Sequence, residues 1–525
     1  QLERLYVQPT CSPSRASLLT GRYVHRIGVY NELLKAMAQD CLPRDQLLMP
    51  EAFKQLGYRT HMIGKWHVGY ANHSCTPWGS SFDTYLGLLR GKSSHFVHGQ
   101  AGFGDMHECN GTTETLSAEE LEQCARCAPG YHMNYSTSIF GARAVRVVEE
   151  HDPAEPLFMY LAHQAPHEPL EVPGGANNSF VKKVGDQSRG RYLGMVQMID
   201  AEMGRLVKAL EARGMLDETI IVVTTDNGGN GGNLGRLSYR CCKCGTSCGG
   251  LNYPHRGNKG GPYEGGIRGV GFIHAPKMLP SGVLYHDMMH LSDIYPTLVF
   301  GAAANNAASA LVDWDALDGV SHWQALKALG TPHMMPRGPR AEAIIDTGTG
   351  NRKEAVLIAG RFKLLLGQWQ ADGPNSRYFA HWCDKDHTDG SVRCHKPGKD
   401  VNATQPIEML SHAHIHLSRE QARIGGNATW DARVELYDLE ADPREQRNIA
   451  AERPEVVERL RARIAVHARE GVRDVHPQQF YQELAKDAAS GHGGCWGPFL
   501  DAHGNERTMA SDNAGGNETQ SNVTV

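Results

Sequence analysis

Apolar residues in the first two-thirds of the chain follow two spacings, one typical of strands and one typical of helices. The β-branched run at 219–229 ends on polar residues and glycines, and the apolar run at 157–162 is equally short, so both predict buried strands. A helical stripe at steps of four and three precedes the first of these: Met195, Ile199, Met203, Leu206 and Leu210. This helix is predicted to end at Arg213-Gly214. Because helix and strand alternate, we expect a mostly parallel sheet that helices cover on both faces.

The segment around Pro50 repeats this order of elements. A proline in the first turn predicts the start of a helix, Gly57 predicts its end, and the residues that follow predict a strand that runs into Gly64. In an open parallel sheet, functional groups lie beyond the carboxyl ends of the strands. Polar residues that follow these strands are therefore candidates for a shared site.

The pattern changes from about Ala341. Residues 354–367 predict a hairpin that turns at Ala359-Gly360, and residues 434–450 predict a strand, a turn and the start of a helix. A further helix has one apolar face, made by Val457, Leu460 and Ile464.

These patterns divide the chain into three parts. We expect an α/β domain over residues 1–340 and a smaller C-terminal α+β domain over residues 341–500. Residues 501–525 lack a periodic apolar face and are expected to be disordered.

Composition narrows the class of protein. The chain has 525 residues, of which 40% are apolar and 21% are charged, as in ordinary soluble globular proteins. Its formal charge of -5 is small for this length, which argues against nucleic acid and acidic membranes as partners. No apolar run approaches the roughly 18 residues that span a bilayer, so we expect no membrane span. No signal peptide is visible, and we do not expect Gln1 to be the natural start.

Glycosylation sequons and cysteines bear on the compartment. Asn-x-Ser/Thr occurs at Asn72, Asn110, Asn134, Asn177, Asn402, Asn427, Asn517 and Asn522. So many sequons favour a glycoprotein of the secretory pathway, lysosomal or extracellular, in which disulfides are expected. The chain has thirteen cysteines, and an even number remains if Cys11 is reserved for chemistry. Reduced cytosolic thiols are one alternative, and a zinc site among closely spaced cysteines is another: Cys124 and Cys127, or Cys241, Cys242, Cys244 and Cys248.

Two polar pairs follow predicted strands. Asp226 and Asn227 end the β-branched strand and offer oxygen ligands of the kind that Ca²⁺ prefers, although an Asx turn is the alternative. Lys65 and His67 stand two residues apart, and in extended chain such side chains point to the same side and can face one small anion. A solvated lysine and a histidine that caps a turn are the alternative.

Two other segments supply further cationic groups. His163 and His167 follow the strand at 157–162, and only one of them need point inward. A glycine-rich segment supplies Arg256, Lys259 and Arg268, each of which is ordinarily a solvated loop charge. Together, these cationic side chains surround a pair of residues that can bind a metal ion. Such a site suits a phosphate or sulfate ester, whose tetrahedral oxyanion must be neutralised as the ester bond breaks. Cys11 is the candidate nucleophile.

The string "CSPSRASLLTGR" at residues 11–22 resembles the signature of the sulfatase family, most closely its arylsulfatase B type (N-acetylgalactosamine-4-sulfatase). Four further segments resemble the family in the same order: "HMIGKWHVG", "LFMYLAHQAPHEPLEVP", "TTDNGG" and "RGNKGGPYEGGIRGVGF". The later "ELYDLEADPREQRNIA" is similar to the family's C-terminal subdomain, so the resemblance covers roughly residues 6–499. It implies an alkaline-phosphatase-like fold and a sulfuric ester hydrolase that acts on a sulfated small molecule or a sulfated glycan.

The resemblance also implies a modified nucleophile. In sulfatases the formylglycine-generating enzyme of the endoplasmic reticulum converts this cysteine to formylglycine, an aldehyde. The hydrated aldehyde has two hydroxyls on one carbon: one attacks sulfur, and loss of a proton from the other expels sulfate and restores the aldehyde. Covalent catalysis of this kind divides one difficult step into two.

Each matching residue takes an implied role from the family. Cys11 would be the nucleophile, and Arg15 would hold its hydrate. His67 would take the proton in the elimination step, and His167 would assist the leaving group. The implied sulfate-binding residues are Lys65, His167 and Lys259. The implied ligands of one calcium ion are residue 11, Asp226 and Asn227.

The resemblance departs from the family at the calcium site. There the family also uses two aspartates at the end of its first strand, before the nucleophile, whereas only ten residues precede Cys11 and Glu3 is the sole acid among them. We therefore expect the catalytic domain to be N-terminally incomplete, to lack a central strand, and to bind calcium and turn over sulfate esters poorly. Cys41 and Cys75 are implied to form a disulfide, and the segment 241–248 is interpreted as an insertion stapled on itself.

Two other functions stay open at this point. One is a phosphoesterase on the related fold, which usually has a Ser or Thr nucleophile and two zinc ions; the cysteine signature argues against it. The other is a secreted, inactive protein that binds sulfated glycans. The presence of Lys65, His67, His167 and Lys259 argues against that function.

Overall fold

The computed structural model describes residues 1–31, 33–34, 38, 41–45, 47–100, 102–184, 187–231, 249–302, 312–330, 338–349, 354–367, 433–472 and 489–500, with four short strands between residues 382 and 429. The α-helices are α1 (Cys11–Thr20), α2 (Met49–Gln55), α3 (Ala118–Ala125), α4 (Ser136–Glu150), α5 (Ser179–Lys183), α6 (Gln187–Ala212), α7 (Glu264–Ile267), α8 (Ile294–Ala302), α9 (Trp323–Lys327) and α10 (Pro454–Arg469). The strands are β1 (Leu2–Tyr6), β2 (Arg59–Lys65), β3 (Thr84–Leu88), β4 (Gly99–Gln100), β5 (Phe103–Gly104), β6 (His107–Asn110), β7 (Leu157–Ala162), β8 (Ile221–Thr224), β9 (Gly271–His274), β10 (Tyr285–His290), β11 (Glu342–Thr347), β12 (Glu354–Ala359), β13 (Phe362–Gly367), β14 (Trp382–Asp384), β15 (Arg393–His395), β16 (Arg423–Ile424), β17 (Ala428–Thr429) and β18 (Val434–Asp438).

Two four-stranded sheets form the larger part of the fold. In the first, ordered β10-β1-β9-β8, β1 runs parallel to β10, and β9 lies antiparallel to both of its neighbours. In the second, ordered β6-β3-β2-β7, β2 runs parallel to β3 and β7, and β6 is an antiparallel edge. The pairings are therefore mixed rather than wholly parallel, because β6 and β9 interrupt the predicted alternation of helix and strand.

Adjacent residues of β2 show how helices cover the second sheet on both faces. Met62 belongs to the cluster that contains Phe53 of α2, whereas Ile63 packs with Phe140 of α4 and Leu206 of α6. Successive side chains of a strand point to opposite faces. The predicted helix before the β-branched run is α6, and the two predicted strands are β7 and β8.

The C-terminal sheet is antiparallel and ordered β11-β12-β13-β18. The predicted hairpin is β12-β13, with Gly360 at φ +59 in its turn. Helix α10 packs on one face of this sheet through Val457, Leu460 and Ile464, as predicted. The other face packs against Tyr6, Tyr263 and Ile267 of the preceding part of the chain.

One predicted element is wrong in this region. A helix is expected to start within residues 434–450, but β18 is followed there by turns and irregular backbone, and the next helix is α10. Asn448 holds the intervening segment against β18, because its Oδ1 accepts from Leu436 N at 3.0 Å and its Nδ2 donates to Val434 O at 3.0 Å. The division of the chain at residue 340 stays a prediction, and residues 501–525 lie outside the described residues.

Three disulfides form within the described residues: Cys41–Cys75, Cys109–Cys124 and Cys127–Cys495. The first confirms the implied pairing. Cys11 is the free cysteine of the described residues, and the cysteines of segment 241–248 lie outside them. Within the described part of the chain, no helix has the length and apolar character needed to cross a bilayer.

Candidate active site

Cys11 is the first residue of α1, directly after β1. Thr10 is extended at φ -140, and Gly21, at φ +67, ends the helix with its N–H on Ser17 O. Pro13 is tolerated because the first turn of a helix has no partner for its N–H groups. All ten residues of α1 are buried. The thiol therefore lies at the positive end of a buried helix, a position that favours an anion.

Polar side chains surround the Cys11 sulfur. Lys259 Nζ lies 3.3 Å from Sγ, and Asn227 Oδ1 lies 3.4 Å from it. Burial raises the pKa of the Cys11 thiol, but the charges of Lys65 and Lys259, with hydrogen bonds to His167 and His67, outweigh burial and hold this pKa well below its usual value. The surroundings of residue 11 thus stabilise negative charge.

Lys65 and His67 reach the site by a route different from the predicted one. β2 ends at Lys65, and His67 takes a left-handed conformation at φ +60, so the two residues do not continue one extended strand. Gly91 makes room for the imidazole, because a Cβ there would lie 2.2 Å from His67 Cε1. Burial, followed by the charge of Lys65, lowers the pKa of His67 to about 4, and burial lowers that of Lys65. At neutral pH the imidazole is therefore uncharged.

His167 and Lys259 form a hydrogen-bonded pair beside the thiol. His167 Nδ1 lies 2.8 Å from Glu168 O and therefore donates, because a carbonyl oxygen only accepts. Nε2 then accepts from Lys259 Nζ at 3.1 Å. Burial, with the charges of Lys65 and Lys259, lowers the pKa of His167; for Lys259, burial opposes the charges of Cys11 and Asp226, which together raise its pKa.

Arg15 lies one turn after Cys11 and forms hydrogen bonds with residues of β2 and β7 and with a residue just after β8. Its Nη2 and Nε donate to Asp226 Oδ2 at 3.0 and 3.2 Å, its Nη1 donates to Lys65 O at 2.7 Å, and Tyr160 OH lies 3.3 Å from the same Nη1. Arg15 therefore positions Lys65 and Asp226 relative to α1.

Four of the considered residues lie outside this cluster. Arg256 contacts Tyr437 OH at 2.9 Å, and Arg268 donates to Glu3 O at 3.0 Å. Glu3 itself contacts His286 on the exposed side of β1. His163 stacks near Phe140 with a ring-centroid distance of 6.4 Å. Only Lys259 of the three glycine-segment cations reaches the thiol, because Arg256 and Arg268 turn toward the C-terminal sheet and β1.

Sequence reasoning missed three positioning residues. Ser14 Oγ donates to Asp226 O and accepts from Gln8 N at 3.0 Å, which ties α1 to the end of β8. Tyr160 contacts Arg15, and Gly91 admits the His67 ring. Ser14 lies inside the signature string, and Tyr160 lies on the same face of β7 as the buried Phe158 and Ala162. No sequence signal marks Gly91, because its role arises from a contact between segments.

Oxygen donors for a hard cation come from the end of β8. Asn227 Oδ1 lies 3.4 Å from Cys11 Sγ, and the Asp226 carboxylate pairs with Arg15, one turn after Cys11. Their chemistry fits Ca²⁺, which takes about six to eight oxygen ligands, so further oxygens from residue 11, substrate or water would be needed. The cluster opens into a cleft of about 2150 Å³ that runs between β7 and β8.

This geometry, with several nitrogen groups around a cysteine at the strand ends of an α/β fold, suits the binding of a tetrahedral oxyanion. A family profile described as "Sulfatase" matches residues 2–301, more than half of the chain, and the chain belongs to the sulfatase family. Arylsulfatase J of Mus musculus is 29% identical over 504 residues, which cover 95% of this chain and 74% of that protein. Arylsulfatase A of Homo sapiens is 28% identical over 302 residues, 56% of this chain and 55% of that protein. N-acetylgalactosamine-6-sulfatase of Mus musculus is 25% identical over 430 residues, 78% of this chain and 72% of that protein.

Solved structures support the fold. The crystal structure of Ps i-CgsB in complex with k-i-k-neocarrahexaose superposes with a TM-score of 0.63 at 21% identity, over 93% of this chain and 89% of that chain. The PsFucS1 sulfatase from Pseudoalteromonas sp. gives 0.53 at 20% identity, over 91% of this chain and 83% of that chain. The predicted α/β, alkaline-phosphatase-like fold is confirmed.

Proposed function

We propose that this chain hydrolyses sulfate monoesters with a formylglycine made from Cys11 as its nucleophile. Membership of the sulfatase family supports the hydrolysis of sulfate esters. The observation that carries the finer proposal is the convergence of Lys65, His67, His167 and Lys259 on the Cys11 side chain. Four nitrogen groups around one buried carbon suit the negative charge of a sulfate ester as its bond breaks.

The roles follow from the protonation states. Lys65 and Lys259 are buried cations and bind the sulfate oxygens. His67 is neutral because its pKa is about 4, so it accepts a proton from residue 11 in the elimination step. His167 Nε2 shares a proton with Lys259 Nζ, and this pair supplies the proton that the leaving oxygen needs.

Two groups would complete the site. When hydrated, a formylglycine at residue 11 supplies two hydroxyls on one carbon, so that a sulfated enzyme can release sulfate by losing a proton rather than by a second attack. Calcium held by Asp226, Asn227 and residue 11 would lower the cost of forming an alkoxide-like nucleophile. Arg15 holds Asp226 in place for this arrangement.

The proposals for the substrate and the compartment rest on the named relatives and on the disulfides. Relatives named arylsulfatase J, arylsulfatase A and N-acetylgalactosamine-6-sulfatase support an aryl sulfate or a sulfated sugar, and we keep the arylsulfatase B type as the specific proposal. Three disulfides favour an oxidising compartment, the secretory pathway, with a lysosomal or extracellular destination. The formylglycine-generating enzyme is the partner that this maturation requires.

Paired assays test the proposal. Protein secreted from cells that contain the formylglycine-generating enzyme is assayed with 4-methylumbelliferyl sulfate and with the matching phosphate. We expect turnover of the sulfate, a much lower rate with the phosphate, and no turnover by Cys11→Ala. Equal rates with both esters would favour a phosphoesterase, and sulfate binding without turnover would favour a binding protein. Comparison of 4-sulfated with 6-sulfated N-acetylgalactosamine then tests the arylsulfatase B type.

A further inference from the structure

A second group of metal-ligand side chains lies where α10 meets the segment that follows α1. His25 belongs to the 3-10 turn Val24–Arg26, His467 lies in the last turn of α10, and Glu470 is the residue after α10 ends. One ligand atom from each of the three lies within 4.8 Å of the others. Neither the active site nor the C-terminal core uses this group.

His25 is a buried imidazole whose hydrogen-bonding capacity is unused. It is 0% exposed, and neither ring nitrogen has a hydrogen-bond partner among the described residues. Burial of an unpaired polar group is costly, so such a ring points to a missing ligand.

His467 is oriented as metal-bound histidines are. Its Nε2 lies 3.0 Å from Glu342 Oε1 and donates to that carboxylate. Its Nδ1 is buried and has no partner within the described part of the chain. A carboxylate that accepts from one ring nitrogen leaves the lone pair on the other, and this is the usual second contact of a metal-binding histidine.

Glu470 gives the group its access to solvent and its negative charge. It follows His467 by three residues, so both lie on the same side of the helix end. Glu470 is exposed, so an ion can reach the buried imidazoles from solution. The end of a helix carries partial negative charge, which also favours a cation there.

Two guanidinium groups near the site are neutralised by other carboxylates. Arg26 pairs with Asp318 at 2.7 Å, and Arg463 Nε lies 3.1 Å from Glu342 Oε2. Glu470 adds a further negative charge that both arginines sense. The local balance is therefore not positive, and a divalent cation is not repelled.

We propose that His25, His467 and Glu470 form a zinc site that fastens α10 to the segment after the nucleophile helix. Imidazole nitrogens suit Zn²⁺, whereas Ca²⁺ prefers oxygen ligands. Zinc binds nitrogen at about 2.0–2.1 Å, so the three ligand atoms close by roughly 1 Å around the ion, and water takes the fourth position.

Zinc content of the full chain tests the site. Protein without an oligohistidine tag is stripped with 1,10-phenanthroline, incubated with ZnCl₂, freed of unbound ion by gel filtration and analysed by mass spectrometry of zinc. We expect Glu470→Gln and His467→Asn to retain about one zinc ion fewer per chain than the unmodified protein. His286→Asn, at an exposed histidine outside the group, is the matched control and retains the full amount.

Two further readouts distinguish binding from folding. Zinc raises the Tm of the unmodified protein but not that of Glu470→Gln, a surface change that leaves the fold intact. Cobalt in place of zinc gives visible absorption bands of a tetrahedral site, and both variants lose them. Zinc retention that is equal in the variants and the unmodified protein, or an absence of zinc retention in the unmodified protein, would overturn the proposal.

Discussion

Buried lysines occur in two regions of this molecule, and they differ in what neutralises them. Lys363 of β13 lies 3.0 Å from Glu264 Oε1 and 2.7 Å from Glu445 Oε1, and all three side chains are 0% exposed. Around Cys11, by contrast, the cations Arg15, Lys65 and Lys259 outnumber the carboxylate of Asp226, which pairs with Arg15. The first region has more carboxylate than ammonium, and the second has cations that await an anion.

The pKa values in the two regions reflect this difference. Burial raises the pKa of Glu445 to about 7, although Lys363 opposes the shift, because one ammonium cannot fully balance two buried carboxylates. Burial lowers the pKa of Lys65, and the Cys11 thiol only partly offsets that effect. A buried cation with carboxylate partners thus stabilises the fold, whereas one without them is available to bind a substrate anion.

The largest expected effect is on stability in the first region. Lys363→Met leaves Glu264 and Glu445 buried without their ammonium, and we expect the free energy of unfolding to fall by about 3–5 kcal/mol. Urea denaturation measures the change. Lys277→Met, at an exposed lysine, is the control. If Lys363→Met is as stable as the control, the carboxylates do not depend on this cation.

In the second region the expected effect is on activity. Lys65→Met removes one cation that binds sulfate, so kcat/KM for an aryl sulfate should fall by about 10²–10³-fold. Stability should stay unchanged or rise, because burial lowers the pKa of Lys65 despite the opposing charges of Cys11 and Asp226. Initial rates and urea denaturation on the same preparation check both halves. A large loss of stability in Lys65→Met would contradict the distinction between Lys65 and Lys363.

The third prediction concerns the position of His67. Gly91→Ala places a methyl group against the imidazole, and displacement of this base should lower kcat by about 10²-fold with little change in Tm. Gly204→Ala is the matched control, because a Cβ at Gly204 on α6 meets no atom within 4 Å. Equal rates for the two variants would mean that the ring tolerates displacement.

The smallest effect is a pH dependence in the first region. The raised pKa of folded Glu445 means that the unfolded chain loses this proton first as pH rises, so the group costs stability between about pH 5 and 7. Glutamine does not titrate, so Glu445→Gln avoids this cost. The free energy of unfolding of the variant, relative to that of the unmodified protein, should therefore increase by about 1–3 kcal/mol from pH 5 to pH 8. Urea denaturation at both pH values tests this difference. A constant difference would show that Glu445 is already ionised at pH 5.

Sequence patterns predicted the elements well where periodicity was strong. β7, β8, α6, the β12-β13 hairpin and α10 all follow from the spacing of apolar residues. The antiparallel β6 and β9 were not predictable, because strand direction depends on how distant segments pair.

The residues of the candidate site could be predicted from the sequence, but their arrangement could not. Residue type and position after a strand identified Lys65, His67 and Asp226, and the resemblance supplied Arg15. The geometry that joins them could not be predicted, because His67 adopts φ +60 and Gly91 opposes it from another segment. The partners of Arg256 likewise come from the C-terminal sheet, far along the chain.

The central claim is that residue 11 becomes the nucleophile inside the cationic site. Peptide mass spectrometry across residues 5–15, on secreted preparations with different degrees of modification, measures the fraction of formylglycine at this position. We predict that the rate of aryl sulfate hydrolysis rises in proportion to that fraction. A preparation with unmodified Cys11 that hydrolyses the ester as fast as a modified one would contradict the account.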